Sequence, residues 1–378
     1  MIVSSTLKRK NNMTNTYIKI GSKFQLFNAP VTILEKLPAG AYLVQFHPLE
    51  GYSLVETEKF TDTVGKLYGN HPQKINRIIR KFSQSDEPLG AMFTGDKGMG
   101  KSVAVREIAY QVINEMKLPV IIVNKNTPGL VDFLDTIEQA VFIFDEFEKV
   151  FPLEDNEETD LPSQDQFLNF FDGLSTTKRL YLLTANDDDD LSDYLINRPG
   201  RFHYHIQFDY PNADAVREYL QDNAPQASLE EIEKVVDFSL KTKVNYDHLH
   251  AIAEEFSFSD KFHEFIEDLN IKNSENVEFI FKVKFSDGST YTRDILLDVF
   301  DEDSSSVYVR HKDGTEIEVT FENNDIVFTP SGATIHKFDI APYSDHISKQ
   351  DGFDITRYNI DSISLKLVGQ EKYNYKFD

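Results

Sequence analysis

The chain has 378 residues, with 39 basic and 63 acidic side chains, a formal charge of −24, 10 histidines and no cysteine or tryptophan. At about 150 residues per domain, this length predicts two to three domains. Without cysteine there are no disulfides, thiolate metal sites or cysteine redox chemistry, the net charge makes the whole chain a poor polyanion binder, and no apolar run approaches the ~20 residues of a membrane span.

The start, MIVSSTLKRKNNMTNT, is basic with no apolar stretch behind it. Residues 1–16 therefore read as a disordered tail, not a secretory signal, and Met13 is a candidate natural start. Residues 17–70 form an N-terminal β-rich module, with short runs YIKI, FQLF, VTIL and, after the turn signal Pro38-Ala39-Gly40, AYLVQF. PQKINRIIRKF follows as a helix, with Ile75, Ile78 and Ile79 at helical spacing. Residues 71–212 then alternate apolar runs (AMF, VIIV, VFIF, LYLL, HIQF) with helical stretches. Fully apolar strands separated by helices predict an α/β fold whose parallel sheet is covered on both faces.

Residues 213–270 are helical throughout: DAVREYLQDN, SLEEIEKVVDFSLK, NYDHLHAIAEEF and KFHEFIEDL, with Ser228 and Glu231 in capping-box spacing. Residues 271–378 return to β texture, with Asp313-Gly314 predicting a hairpin and SISLKL alternating along a last strand. The charge is divided unevenly among these regions. Residues 1–130 carry 17 basic and 10 acidic side chains, residues 131–270 carry 10 and 33, and the remainder 12 and 20.

Four segments carry chemistry. GDKGMGKS, formed by Gly95, Asp96, Lys97, Gly98, Met99, Gly100, Lys101 and Ser102, lies between a strand and a helix, as a phosphate-cradling loop requires. Its glycines let successive N–H groups face inward, and the helix N-terminus adds positive potential. Lys101 can reach the β- and γ-phosphates of ATP, and the Ser102 hydroxyl can ligate Mg²⁺. In VFIFDEFE, Asp145 and Glu146 emerge at the carboxyl end of a buried strand, where open α/β sheets bind ligands. Asp145 joins Ser102 as a metal ligand, and Glu146 is the base for the attacking water. Asn186, just past LYLLTA, is placed to contact the γ-phosphate or the water. Arg198 and Arg201 flank Pro199-Gly200 in NRPGRFH, and arginine suits a phosphoryl transition state.

In this order and spacing the four segments resemble an AAA+ ATPase: Walker A, Walker B with its glutamate, a sensor asparagine and an RPGRF arginine segment, over roughly residues 74–269. The resemblance implies ATP hydrolysis with Mg²⁺, a parallel sheet of order 5-1-4-3-2, a helical lid and a homo-oligomeric ring of six or seven subunits. It also implies that Arg198 and Arg201 complete the neighbouring subunit's site. The short link NKNTPGLVDFLDTIEQA lacks the aromatic–apolar–Gly triplet of threading unfoldases, and the motor core resembles the mitochondrial Rieske-protein translocase branch.

A protein substrate or assembly partner is therefore expected, in the cytoplasm (the host's, if the chain is viral). A nucleic-acid motor or loader, or a nucleotide-stabilised assembly protein with little turnover, is the alternative. The acidic stretch LEDNEETD is a candidate lining of a ring's opening or a solvated loop, and the run Asp187 to Asp190 reads as a solvated turn. His203 with His205, and His248 with His250, lack the further ligands a metal site needs. Lys74, Arg77, Arg80 and Lys81 make one short helix strongly basic.

Overall fold

The computed structural model describes residues 16–27, 31–58, 65–153, 161–172, 177–196, 198–271, 277–300, 303–329, 332–343 and 354–368. Of the expected tail at residues 1–16 all but Thr16, which opens a strand, lie outside them, as does the acidic stretch at 153–160 apart from Leu153. Among the described residues no helix is long and apolar enough to cross a membrane.

The strands β1 (Thr16–Ile20) and β2 (Lys23–Phe27) pair as a separate antiparallel hairpin. The central sheet uses β3 (Gly40–His47), β4 (Gly51–Thr57), β5 (Leu89–Thr94), β6 (Pro119–Val123), β7 (Ala140–Phe144), β8 (Arg179–Ala185) and β9 (Tyr204–Gln207). Its spatial order is β4-β3-β6-β7-β8-β5-β9, and every neighbouring pair is parallel except β3 with β4. The five strands from β5 to β9 thus lie in the order 5-1-4-3-2 expected of the motor core. Strands β3 and β4, from the N-terminal β-rich stretch, extend that sheet beyond β6.

The runs VIIV and VFIF are buried along their whole length because helices cover both faces. Alternation sends Val141 and Ile143 to one layer and Phe142 and Phe144 to the other. The first layer holds α1 (His71–Gln84), which buries Ile75, Ile78, Ile79 and Phe82, and α2 (Lys101–Gln111). The second holds α3 (Leu130–Asp135), α4 (Phe147–Val150) and α5 (Leu168–Phe171). Phe144 there meets Phe147, Phe167 and Phe171 edge-on at 5.8, 5.5 and 5.4 Å, a favourable arrangement for aromatic quadrupoles.

The lid is α6 (Ala213–Asn223), α7 (Leu229–Lys241) and α8 (Tyr246–Glu255), around one apolar cluster. Three expectations are corrected in these regions. VTIL forms no strand; it finds no partner among the described residues and leaves Ile33 and Leu34 exposed. KFHEFIEDL forms two 3₁₀ turns, Phe262–Glu264 and Ile266–Asp268, not a helix. Ser228 accepts from the Glu231 N–H, but the Glu231 carboxylate turns to the Phe262 N–H and Lys234, so the box is only half made. The reciprocal box forms one helix later, between Asn245 and His248.

The C-terminal strands are β10 (Val277–Phe285), β11 (Thr290–Leu297), β12 (Ser304–Arg310), β13 (Glu316–Glu322), β14 (Ile326–Thr329), β15 (Gly332–Ile335), β16 (Asp339–Pro342) and β17 (Ile360–Leu367). They form antiparallel sheets of order β11-β10-β17-β15-β14 and β12-β13-β16 over a shared core. The hairpin expected at Asp313-Gly314 joins β12 to β13. Buried His311 ties its turn to the preceding hairpin, with ring nitrogens 3.1 Å from Asp287 and 3.1 Å from Asp313. Hydrogen bonds from Lys312 and Ser289 hold the Asp287 carboxyl well below its ordinary range, and the Thr315 N–H, with His311, lowers Asp313 to about 2. Both folded-state values lie below those of the unfolded chain. The stabilisation is therefore complete above the ordinary carboxylate range and is lost as pH falls through the folded values. Thermal midpoints of Asp287→Asn and Asp313→Asn should accordingly fall less than the parent's between pH 5 and 2, and equal losses would refute this account.

Candidate functional site

The loop between β5 and α2 is shaped by three glycines with φ of 136°, 75° and 91° at Gly95, Gly98 and Gly100. At Gly95 a Cβ would lie 2.2 Å from the Phe208 carbonyl oxygen. At Gly98 it would lie 2.8 Å from both Asn245 and Asp247. At Gly95 glycine is therefore required by close packing against backbone as well as by φ, and at Gly98, where the near atoms are side-chain ends, by φ. The lid is bonded to this loop: the Tyr246 N–H donates to the Gly98 carbonyl (3.0 Å) and Asn245 Nδ2 to the Lys97 carbonyl (3.2 Å).

Lys101 is 7 % exposed and folds back onto its own loop, donating to the carbonyls of Gly95 and Asp96 and to Asn186 Oδ1 at 3.3 Å. Burial lowers its pKa, opposed by the negative charges of Glu148, Asp96, Asp145 and Glu146. Its direct hydrogen bonds all go to neutral oxygens, which a phosphate oxygen can replace.

Asp145 and Glu146 leave β7 between two buried anchors, Phe144 and Phe147. Asp145 Oδ1 accepts from Thr184 Oγ (2.6 Å) and faces the Ser102 hydroxyl at 3.4 Å. Glu146 adopts φ 50°, which is uncommon for a residue with a side chain. Its N–H donates to the same Thr184 hydroxyl at 2.8 Å, and its carboxylate pairs with Lys149. The Lys149 hydrogen bond holds the Glu146 carboxyl below its usual range. Both Asn186 nitrogens donate to Glu148 Oε1, at 3.0 Å from the backbone and 2.7 Å from the side chain, which leaves Oδ1 turned to Lys101.

Thr184 and Glu148 were not singled out from the sequence. The available signal was their spacing: Thr184 precedes Asn186 by two, and Glu148 follows Glu146 by two. A cavity of about 370 Å³ gathers Lys97 to Val103 with Asp145, Glu146, Thr184 and Asn186.

A second cavity, about 310 Å³, adjoins it through Met99, Gly100, Val103 and Asp247. Its walls include Tyr68, Tyr219 and Tyr246, with ring centroids 4.9, 6.1 and 5.8 Å apart pairwise. Burial pushes the Tyr246 phenol up to about 12. This compartment draws on four separate stretches of chain, so no local pattern announces it. A polar cradle joined to a cavity with an aromatic wall fits a nucleotide, phosphates in the first and base in the second. Ser102 Oγ and Asp145 Oδ1 are hard oxygen donors of the type Mg²⁺ takes.

Arg198 and Arg201 line neither cavity. Arg201 is buried and bidentate on Asp172, Nε to Oδ1 at 2.6 Å and Nη2 to Oδ2 at 2.7 Å, with Nη1 donating to the Tyr194 carbonyl. Arg198 is exposed and lies over the Tyr194 ring, 5.7 Å from its centre. Elsewhere, Asp187, Asp188 and Asp189 cluster on a partly exposed turn. His205 bonds to Thr94, and His248 serves the α8 cap.

Sheet order, phosphate loop and strand-end acids together define a P-loop domain of the AAA+ type, carried with β-rich modules. Residues 91–210 match the ATPase family associated with various cellular activities (AAA), a family of ATP-hydrolysing domains. The chain is 23 % identical over 212 residues to the mouse ATPase family AAA domain-containing protein 2, covering 50 % of this chain and 20 % of that protein. It is 28 % identical over 165 residues to the peroxisomal ATPase pex1 of Schizosaccharomyces pombe (40 % and 18 %). It is 22 % identical over 166 residues to the ATPase histone chaperone abo1 of the same yeast (40 % and 14 %). The chain therefore spans a fifth or less of the length of these relatives.

Proposed function

We propose that the chain hydrolyses ATP at this site and uses the cycle to remodel, hold or assemble a protein partner. The observation that carries the reading is the convergence of Lys101, Ser102, Asp145, Glu146 and Asn186 on one cradle that opens into a cavity with an aromatic wall. Lys101 exchanges its loop carbonyls for phosphate oxygens, and the loop N–H groups bind the remaining charge. Ser102 and Asp145 would hold Mg²⁺, which would supply positive charge beside the phosphates. Glu146 takes the proton of the attacking water, and Asn186, held by Glu148, positions it. The relatives' names support a partner-directed role, since one is a histone chaperone and another a peroxisomal ATPase.

In this reading nucleotide lies between subunits of a head-to-tail ring of six or seven. Exposed Arg198 is the arm that crosses to the neighbour, and Arg201 braces the turn from which it projects. The RPGRF segment and the compact 124–140 link still favour the translocase-like branch over a threading motor. One observation favours a second reading, a nucleic-acid-linked motor: Arg77, Arg80 and Lys81 line a concavity of about 390 Å³ with Tyr204 and no acidic residue. DNA stimulation of turnover that collapses with added salt would move the reading there.

The test of the site is equilibrium ATP binding. Lys101→Ala should weaken it at least about 100-fold, because a charge-assisted phosphate contact in a water-poor cradle is lost. Unchanged affinity in a folded variant would remove the nucleotide assignment.

A further inference from the structure

One hydroxyl joins the two acids at the end of β7. Strand β8 is buried at every position, and the register that pairs Phe144 with Leu183 sets Thr184 beside Asp145, one step further on. Thr184 is 0 % exposed, so its hydroxyl must find partners inside the protein. It donates to Asp145 Oδ1 at 2.6 Å and accepts from the Glu146 N–H at 2.8 Å. The directions are forced. A peptide N–H can only donate, so the hydroxyl accepts there, and its single proton is left for the carboxylate.

The bond to the Glu146 N–H does more than satisfy an amide. That N–H belongs to the planar peptide unit linking Asp145 to Glu146, so holding it fixes the plane from which both side chains project. The uncommon φ of 50° at Glu146 begins at the same nitrogen. The other bond fixes the Asp145 carboxylate itself, on the oxygen that also faces the Ser102 hydroxyl at 3.4 Å. Lys101 stands apart from this clamp, because its hydrogen bonds go to Gly95, Asp96 and Asn186.

We propose that Thr184 is a positioning residue whose single hydroxyl sets the metal ligand Asp145 and the base Glu146 together, so that metal-dependent binding and activation of water are lost as a unit when it is removed. This inference rests on the nucleotide reading above and adds the group that couples its two acids. Removing the hydroxyl leaves the Glu146 N–H and one carboxylate oxygen of Asp145 without their buried partner, and the phosphate-binding lysine is untouched.

The experiment is equilibrium ATP binding to the intact chain in EDTA and in Mg²⁺, beside single-turnover hydrolysis. Thr184→Val keeps the branched shape and removes both bonds. It should leave ATP affinity in EDTA close to that of the wild type, erase most of the gain that Mg²⁺ brings, and slow hydrolysis by about 10- to 100-fold, the usual effect of removing a group that orients a metal ligand. Thr184→Ser restores the hydroxyl and should recover most of both losses. Thr184→Cys, whose thiol is a weak donor and acceptor, gives an independent reading should the Val variant fold poorly. Three results in a folded variant overturn the proposal: a full Mg²⁺ gain with wild-type hydrolysis, loss of one property without the other, or an equal loss of affinity in EDTA and in Mg²⁺, which marks a purely structural role. A wild-type chain that binds no ATP, or gains nothing from Mg²⁺, overturns the underlying reading and this one with it.

Discussion

Glu146→Gln is expected to keep ATP affinity and to lower turnover by about 10²–10⁴-fold, the range that general-base catalysis contributes. The amide preserves size and leaves Lys101 and the loop untouched, so binding should survive. What is lost is the proton acceptor. The Glu146 carboxyl is held below its ordinary range by Lys149 and is therefore ionised and able to accept at neutral pH. Its backbone is held at φ 50° by the Thr184 hydroxyl on one side and the buried Phe147 ring on the other. A non-glycine residue kept in that region costs of order 1–3 kcal/mol and persists only where surrounding structure enforces it. The Glu146 residue lines the cradle while its carboxylate pairs with Lys149. Single-turnover hydrolysis with tightly bound ATP is the measurement, and normal turnover in this variant would falsify the assigned role.

The two arginines should separate cleanly. Asp172→Asn removes the counter-charge of a guanidinium that is 6 % exposed. Breaking a buried pair from one side costs about 3–5 kcal/mol, and the low end applies because Asp172 keeps 34 % of its side chain in water. Arg201→Lys should fare little better, since an ammonium cannot reproduce two parallel bonds to the carboxylate together with the bond to the Tyr194 carbonyl. Arg198→Ala should hardly alter stability and should reduce hydrolysis by about 10³-fold or more, the contribution of an arginine supplied to a phosphoryl transition state. Wild-type subunits mixed into the Arg198→Ala protein should restore turnover. Denaturation midpoints and mixed-assembly kinetics test both halves, and the assignment fails if Arg198→Ala destabilises the fold or if mixing restores nothing.

Which features could be read from the sequence follows from how local they are. The phosphate loop, the acids at the end of β7 and Asn186 are written in contiguous residues whose flanking apolar runs fix the strand ends. The order of the five motor strands follows from the resemblance those motifs carry. The direction of Arg201 is different, because its partner Asp172 lies 29 residues away, across an aromatic layer. A pattern of charges around Pro199-Gly200 shows that two cations are present and not which one is buried. The cavity with the aromatic wall escaped for the same reason, since Tyr68, Tyr219 and Tyr246 meet only after the lid folds back. VTIL shows the converse failure: its β texture is genuine, but a strand also needs a partner. Strand β4 mixes half-buried and exposed positions with no clean alternation, which fits an edge strand open on one side.

The bonds between α8 and the phosphate loop have a mechanical consequence. With Tyr246 and Asn245 fastened to Gly98 and Lys97, the lid has its fulcrum on the loop itself. On the lid's far side, Phe238 meets Phe300 at 5.9 Å and Lys241 lies over the Phe328 ring at 5.9 Å. The C-terminal sheets also share a cavity with Asp96, Phe208 and Tyr210 through Phe279, Phe328 and Leu365, so they bridge the lid and the phosphate-loop side. Any turn of the lid about its fulcrum would have to shear that seam.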